Sequence, residues 1–380
     1  MNRTSYLSSP VVNGFVIFLA RIINGDSEIN HTYKDRKKKK EFVFNTLYEG
    51  FEKYHWNNEG YKANSDKIDL LVDGFTNANT NSDSFYKACL DTLEWGAGNK
   101  GLSLYTHNSQ WLDKLGTAPN VKDNLDRALE LLDSESPCFT EFDGKYRMNA
   151  GFTKIYAFMS PETFIIYDSR VAAALAFLVT MYCEQEGLSG VPAELGFTIA
   201  DAQGKSCRNP SIKEKGYIFS KWGSDQKKHA ISNVQANWIL YSAFKKVEHS
   251  TPFDDIRQIE AALFMIGYDF PQYAVSQTIQ PKKVNKINDK TKVGSDKKNN
   301  TTANDIREFV VELITENLEK SEFFEFTSSI VRKSIGGDLT AICGALKVEK
   351  FFNERNIAIE IIDAPPSGLG KVTYQATLMT

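Results

Sequence analysis

The chain has 380 residues, 42% of them hydrophobic and 24% charged, with a formal net charge of −3. That apolar fraction over that length can fill the cores of two domains, and the charge balance excludes a disordered chain and an overall basic, nucleic-acid-like surface, though not a local basic groove. Five cysteines (Cys89, Cys138, Cys183, Cys207, Cys343) and five histidines lie scattered, with no CxxC pair and no metal-ligand spacing, so the sequence supports neither a disulfide framework nor a metal or other cofactor.

The first apolar run is VVNGFVIFLARII (11–23), which is shorter than the ~20 residues a bilayer span needs and is interrupted by Arg21. It also lacks the ordered parts of a signal peptide, so a buried first helix, a cytoplasmic location and no membrane partner are expected. DRKKKK (35–40) reads as a solvated helix face or loop, and 57–84 and 187–228 read as long irregular loops. Apolar residues recur at helical spacing over 126–132, 168–182, 231–246 and 255–267, the last with Ile256, Ile259, Leu263 and Phe264 on one face and Gly267 as a stop. Clean two-residue alternation is rare before residue 279. A mainly α fold follows.

Between these helices, TEFDGKYR (140–147) reads as strand or loop, and MNAGFTK then enters a helix. A Gly-containing turn at a helix start turns backbone N–H groups outward, where they and the helix dipole suit a phosphate, and Lys154 adds a charge there. Pro161 in SPETF ends that helix, FIIY is buried by composition, and Asp168 stands at the mouth of the VAAALAFLV helix. Asp is also a preferred N-cap, so Asp168 taken alone is read first as a structural cap.

From 279 to 304 lysine, asparagine, aspartate and threonine dominate, with seven lysines against two aspartates between Lys282 and Lys298, as in a flexible tether. Beyond it, Ile306, Phe309, Val310, Leu313 and Ile314 mark an amphipathic helix, and shorter helices are expected near 324–335 and 339–355. IAIEII and VTYQATL, separated by DAPPSGLGK, read as a β-hairpin. Three helices then a hairpin is the order of a winged helix, giving a small α+β C-terminal domain (305–380). Its 8 Lys/Arg against 12 Asp/Glu, a balance of −4, leave open whether it binds DNA or docks a protein partner.

The turn at Gly151-Phe-Thr-Lys154, followed fourteen residues later by Asp168 at the next helix mouth, resembles the helix-hairpin-helix DNA glycosylases with an 8-oxoguanine DNA glycosylase-like fold. LEWGAGNKG (93–101), YRMNAGFTKIYAF (146–158), CRNPS (207–211), KWGSDQKKHAISNVQANWIL (221–240) and RQIEAALFMIGY (257–268) look like further blocks of bacterial proteins of that fold. The Lys-to-Asp interval is shorter than in the well-studied repair enzymes, and the hairpin has one glycine where they have Gly-x-Gly.

The resemblance implies a glycosylase-like domain over 1–278, acting on a damaged or modified base flipped out of DNA, in repair or in defence against phage. It implies that Asp168 stabilises the cationic sugar, and that Lys154 is either the nucleophile or a DNA contact. Arg147, Gly151, Thr153, Arg170, Arg208, Lys221 and Trp222 are expected to hold DNA. Tyr156, Phe158, Trp95, Trp111, Trp222 and Trp238 are candidate platforms for the flipped base. The loop from Lys205 to Lys228, which interleaves lysines and Arg208 with Tyr217, Phe219 and Trp222, is the best basic-aromatic stretch. The rival expectation is a DNA-binding or protein-docking component that kept the fold without the chemistry.

Overall fold

Pro10 and Gly25 frame the first apolar run. Proline suits the first helical position, and Gly25 closes the helix in the left-handed region at φ 84°. The result is α2 (Pro10–Asn24), preceded by the short α1 (Arg3–Leu7). Phe15, Leu19, Ile22 and Ile23 are buried, as the sequence predicts for this run. The computed structural model describes residues 2–35, 39–78, 80–202 and 206–273, with 310, 311, 314 and the segments 323–327, 357–363 and 373–378. It separates into two units, Met1–Lys283 and Val284–Thr380.

The first unit opens with a hairpin that the sequence reading missed. β1 (His31–Asp35) and β2 (Lys40–Phe44) pair antiparallel from His31↔Phe44 to Asp35↔Lys40, with His31, Tyr33 and Asp35 facing inward. Of the DRKKKK run, Asp35 ends β1 and Lys40 begins β2, so these residues form no helix face; residues 36–38 lie outside the described residues. After α3 (Leu47–Glu52), a second, two-residue ladder joins β3 (His55–Trp56) to β4 (Glu59–Gly60). Asn57 and Asn58, at φ 50° and 66°, make its turn, a conformation asparagine tolerates.

Eight helices follow: α4 (Tyr61–Asn77), α5 (Ser82–Ala97), α6 (Ser103–Lys114), α7 (Ala118–Leu132), α8 (Phe152–Met159), α9 (Ser169–Gln185), α10 (Gln226–Val247) and α11 (Ile256–Ile266). The expected loop at 57–84 is thus mostly helix. The physical reason is that α4 buries only Asn64, Ile68 and Phe75 while Leu70 stands 71% exposed, so its apolar stripe is too thin to read. Among its described residues the 187–228 segment is irregular as expected until α10 begins at Gln226, with short 3₁₀ turns at Ala193–Leu195 and Lys213–Lys215 and isolated bridges Ile199↔Lys221 and Ile212↔Tyr217.

Helix α9 is the axis of the core. Every residue from Val171 to Thr180 is buried, and the alanines among them keep it thin enough for α2 and α11 to pack against it. Among the described residues no helix is long and apolar enough to cross a membrane.

In the second unit, β5 (Phe323–Thr327), β6 (Ile357–Asp363) and β7 (Thr373–Leu378) form one antiparallel sheet in the order β5-β7-β6. The predicted hairpin is β6 and β7, registered Ile357↔Leu378 to Asp363↔Thr373. The helix expected near 324–335 is corrected at its start. FFEFT is strand, because alternating Phe324, Phe326 and the β-branched Thr327 suit a pleated surface. The helix expected at 339–355 lies outside the described residues, and of the amphipathic stretch at 305–320 only Val310, Val311 and Ile314 are described, all helical.

Candidate active site

The segment 164–167 is buried but belongs to no helix or strand, and among the described residues no strand pairs with it. Buried backbone groups must still find partners, and here side chains from α10 and α11 supply them. Ile165 N donates to Asn237 Oδ1 (3.0 Å) and Ile166 N to Glu260 Oε2 (2.6 Å). His229 Nε2 donates to Tyr167 O (2.8 Å) and Asn233 Nδ2 to Ile165 O (3.3 Å). The segment delivers Asp168 to the start of α9, where Oδ1 accepts from Arg170 N (2.8 Å) and Val171 N (3.1 Å). Asp168 is thus an N-cap, as its type and position predict.

Lys154 lies in the first turn of α8. It is only 6% exposed, and its Nζ donates to Ala150 O at 2.8 Å. Its aliphatic stem runs against Gly96 of α5: a Cβ on residue 96 would sit 2.4 Å from Lys154 Cδ, so glycine there makes room for the lysine. The outward-pointing amides expected at this helix start are not available to a phosphate. Asn149 Oδ1 takes both, accepting from Gly151 N (2.8 Å) and Phe152 N (3.1 Å), and Asn149 Nδ2 donates in turn to Asn108 Oδ1 (2.8 Å).

Lys154 and Asp168 line the same cavity, of about 620 Å³, within the range of ligand pockets. Burial lowers the Lys154 pKa from its ordinary value, against the pull of Asp168 and Glu260. Burial alone would raise that of Asp168, but Lys154, Arg170, Arg208 and the Val171 amide outweigh it and hold the carboxyl below its usual range. Asp168 is therefore a half-buried anion, and Lys154 a buried amine eased toward its neutral form. Arg147, Lys154, Arg170, Arg208 and Arg257 face the cavity against Asp168, Asp201 and Glu260, a positive local balance in a chain of net −3.

The aromatic wall is positioned by polar contacts. Asn64 Nδ2 donates to the carbonyls of Trp56 (3.1 Å), Glu59 (3.2 Å) and Gly60 (3.1 Å), tying α4 to the small hairpin. Asn64 Oδ1 accepts from Trp95 Nε1 at 3.3 Å, and Trp56 Nε1 donates to Trp95 O at 3.3 Å. Arg170 lies against Phe264, Tyr268 and Trp56, its guanidinium 4.1, 4.8 and 5.8 Å from the ring centroids. Trp222 stacks on His229, centroids 4.1 Å apart and planes at 12°, and faces the cavity.

The structure brings together Lys154, Asp168, Arg147, Arg170, Arg208 and Trp222 of the residues singled out from the sequence. Arg208 donates to Ser169 Oγ at 2.5 Å, beside the cap. Gly151 and Thr153 are buried, the latter with Oγ1 donating to Ala150 O at 3.2 Å, and neither lines the cavity. Lys221 is exposed and paired with Asp201 at 2.8 Å.

Of the expected platforms, Trp95 and Trp222 line the cavity, while Tyr156, Phe158 and Trp238 are core and Trp111 packs edge-on against Phe152. Tyr217 and Phe219 are also buried, so the basic-aromatic loop keeps only Trp222 and Arg208 at the cavity; Lys205 lies outside the described residues. Sequence reasoning missed Glu260, Arg257, Asn149 and Trp56. A signal for Glu260 existed: it stands four residues from both Ile256 and Phe264 on the apolar side of α11, where a charge is unexpected.

Among the described residues, no group of His, Cys, Asp and Glu could hold a metal ion. Comparison of the chain with protein-family models, curated proteins and solved structures gives no match. The chemistry of the cavity is therefore read from its own residues.

Proposed function

We propose that the first unit is a DNA glycosylase that hydrolyses the N-glycosidic bond of a damaged or modified base turned out of the helix into this cavity. The observation that carries the proposal is the meeting of a half-buried, ionised Asp168 and a buried, desolvated Lys154 in one basic, aromatic-walled cavity. Loss of a base builds positive charge at C1′, and a fixed anion whose dipoles need no reorganisation stabilises that charge. A lysine nucleophile must be neutral to attack, and burial moves Lys154 in that direction. Its attack at C1′ leads to a Schiff base, which opens the way to strand cleavage. Arg170 and Arg208, beside the mouth of α9, are the groups proposed to meet the phosphates flanking the flipped nucleotide.

The second unit is proposed to be winged-helix-like. The strand order β5-β7-β6, with the last strand in the middle, supports that reading. Its acidic balance favours a protein partner over DNA.

The test uses duplexes carrying 8-oxoguanine, uracil, an alkylated base, or hydroxymethylated or glucosylated cytosine, followed by alkali to reveal abasic sites. The wild type is expected to release base from at least one, and Asp168→Asn to lose about 10²–10³-fold in rate while the cap survives, since Asn caps about as well. Firm binding to all the duplexes with base released from none would leave only the non-catalytic alternative.

A further inference from the structure

The cavity holds a second carboxylate, more deeply buried than Asp168. Glu260 of α11 is 7% exposed and shares the lining with Asp168 and Lys154. Both hydrogen bonds described for it use Oε2, from Ile166 N at 2.6 Å and from Arg257 Nη1 at 3.3 Å. A carboxyl held this way keeps its second oxygen for the cavity. Asp168 is arranged differently, with one oxygen taking two amides at a helix N-terminus.

The glycosylase reading leaves a chemical gap that this arrangement fills. A departing base carries away the bonding pair of C1′–N as negative charge, and a proton delivered to it lowers the barrier. Resting on that reading, we propose that Glu260 is the general acid: Oε1–H donates its proton to the base as the C1′–N bond breaks, and the electron pair stays with the base. Lys154 Nζ meanwhile gives its lone pair to C1′. One proton of the ammonium so formed returns to the Glu260 carboxylate, and the step is balanced without any outside reagent.

The surroundings agree with the division of roles. Burial raises the Glu260 pKa, outweighing the opposite effects of Arg257 and the Ile166 amide, while Asp168 is held low. Two carboxylates pushed apart by their environments are the pattern of an acid beside an ionised stabiliser. Besides Arg257, the titratable groups facing Glu260 are Asp168, Lys154, Tyr54, Tyr61 and Tyr241. Arg257 is the cation paired with it, and its partial exclusion from water against Phe158 fixes the pair in place.

Glu260→Gln tests the assignment, because glutamine can still accept from Ile166 N but has no acidic proton. Two probes are needed: the base-bearing duplexes named above, and a duplex with a pyrrolidine abasic analogue, which mimics the cationic sugar and has no leaving base. Glu260→Gln is expected to lose ~10²-fold or more in base release and to bind the pyrrolidine duplex within about twofold of wild type, whereas Asp168→Asn loses both. Arg257→Gln, which removes the paired cation, is expected to move the alkaline limb of the release profile to higher pH. Unchanged release by Glu260→Gln, or a parallel loss of pyrrolidine binding, overturns the acid and leaves Glu260 as a support for the 164–167 segment. A wild type that releases no base from any duplex overturns the glycosylase reading itself.

Discussion

The stem of Lys154 occupies the place a side chain on residue 96 would take. A methyl there would lie 2.4 Å from Cδ and 2.8 Å from Cε of the lysine, and these are flexible side-chain atoms that move aside. Gly96→Ala should therefore displace the amine at little cost in folding. A misplacement of about 1 Å in a reacting group can cost ~10²-fold, so the expected result is a fall in base release of at least tenfold with a melting temperature near that of wild type. Release at the wild-type rate would show that the position of Nζ does not matter to the reaction. Residue 96 sits in LEWGAGNKG, one of the stretches carrying the family resemblance, yet nothing in the sequence says that its absent side chain answers to Lys154. That relation exists only once α5 and α8 pack.

Helices α8 and α9 start in different ways, and the difference was only half legible. Asp168 announces its cap by residue type and position, and the structure has it accepting from Arg170 and Val171. At α8 the capping group is Asn149, two residues before Gly151, and it closes the amides that the glycine turn was expected to present. Asn149→Ala leaves both amides without that acceptor and should cost about 1 kcal/mol, read as a lowered denaturant midpoint with an unchanged slope. No change in midpoint would mean that water replaces the side chain fully. Helices α10 and α11 were readable because apolar residues recur at helical spacing, although α10 also buries His229, Asn233 and Asn237 and α11 buries Gln258 and Glu260. The thin stripe of α4 was not, and Glu260 was hidden among the apolar residues that made α11 easy to recognise.

Across the whole chain, two buried histidines couple stability to pH. Burial brings both His31 and His229 down to about 4 from an ordinary 6.5. Between those values the unfolded chain takes up protons that the folded chain refuses, so stability is full above pH 6.5 and falls as the pH drops toward 4. Glu260 works the other way, since its raised pKa favours the folded state below its ordinary 4.5 and loses that contribution as pH rises, but it is one group against two. The melting temperature should fall steadily from pH 6.5 to 4, and a flat profile would contradict the burial of these rings as neutral groups. The β6–β7 hairpin could be read from alternation, whereas β1–β2 could not, because His31 and Asp35 occupy inward positions where apolar residues are expected. The central claim, that this basic cavity excises a base with Asp168 and Lys154, is tested most directly by borohydride reduction of the protein mixed with the modified duplexes, followed by mass mapping of the adduct. A covalent adduct on the peptide carrying Lys154, lost in Asp168→Asn, is the expected result; no adduct and no released base with any duplex would contradict it.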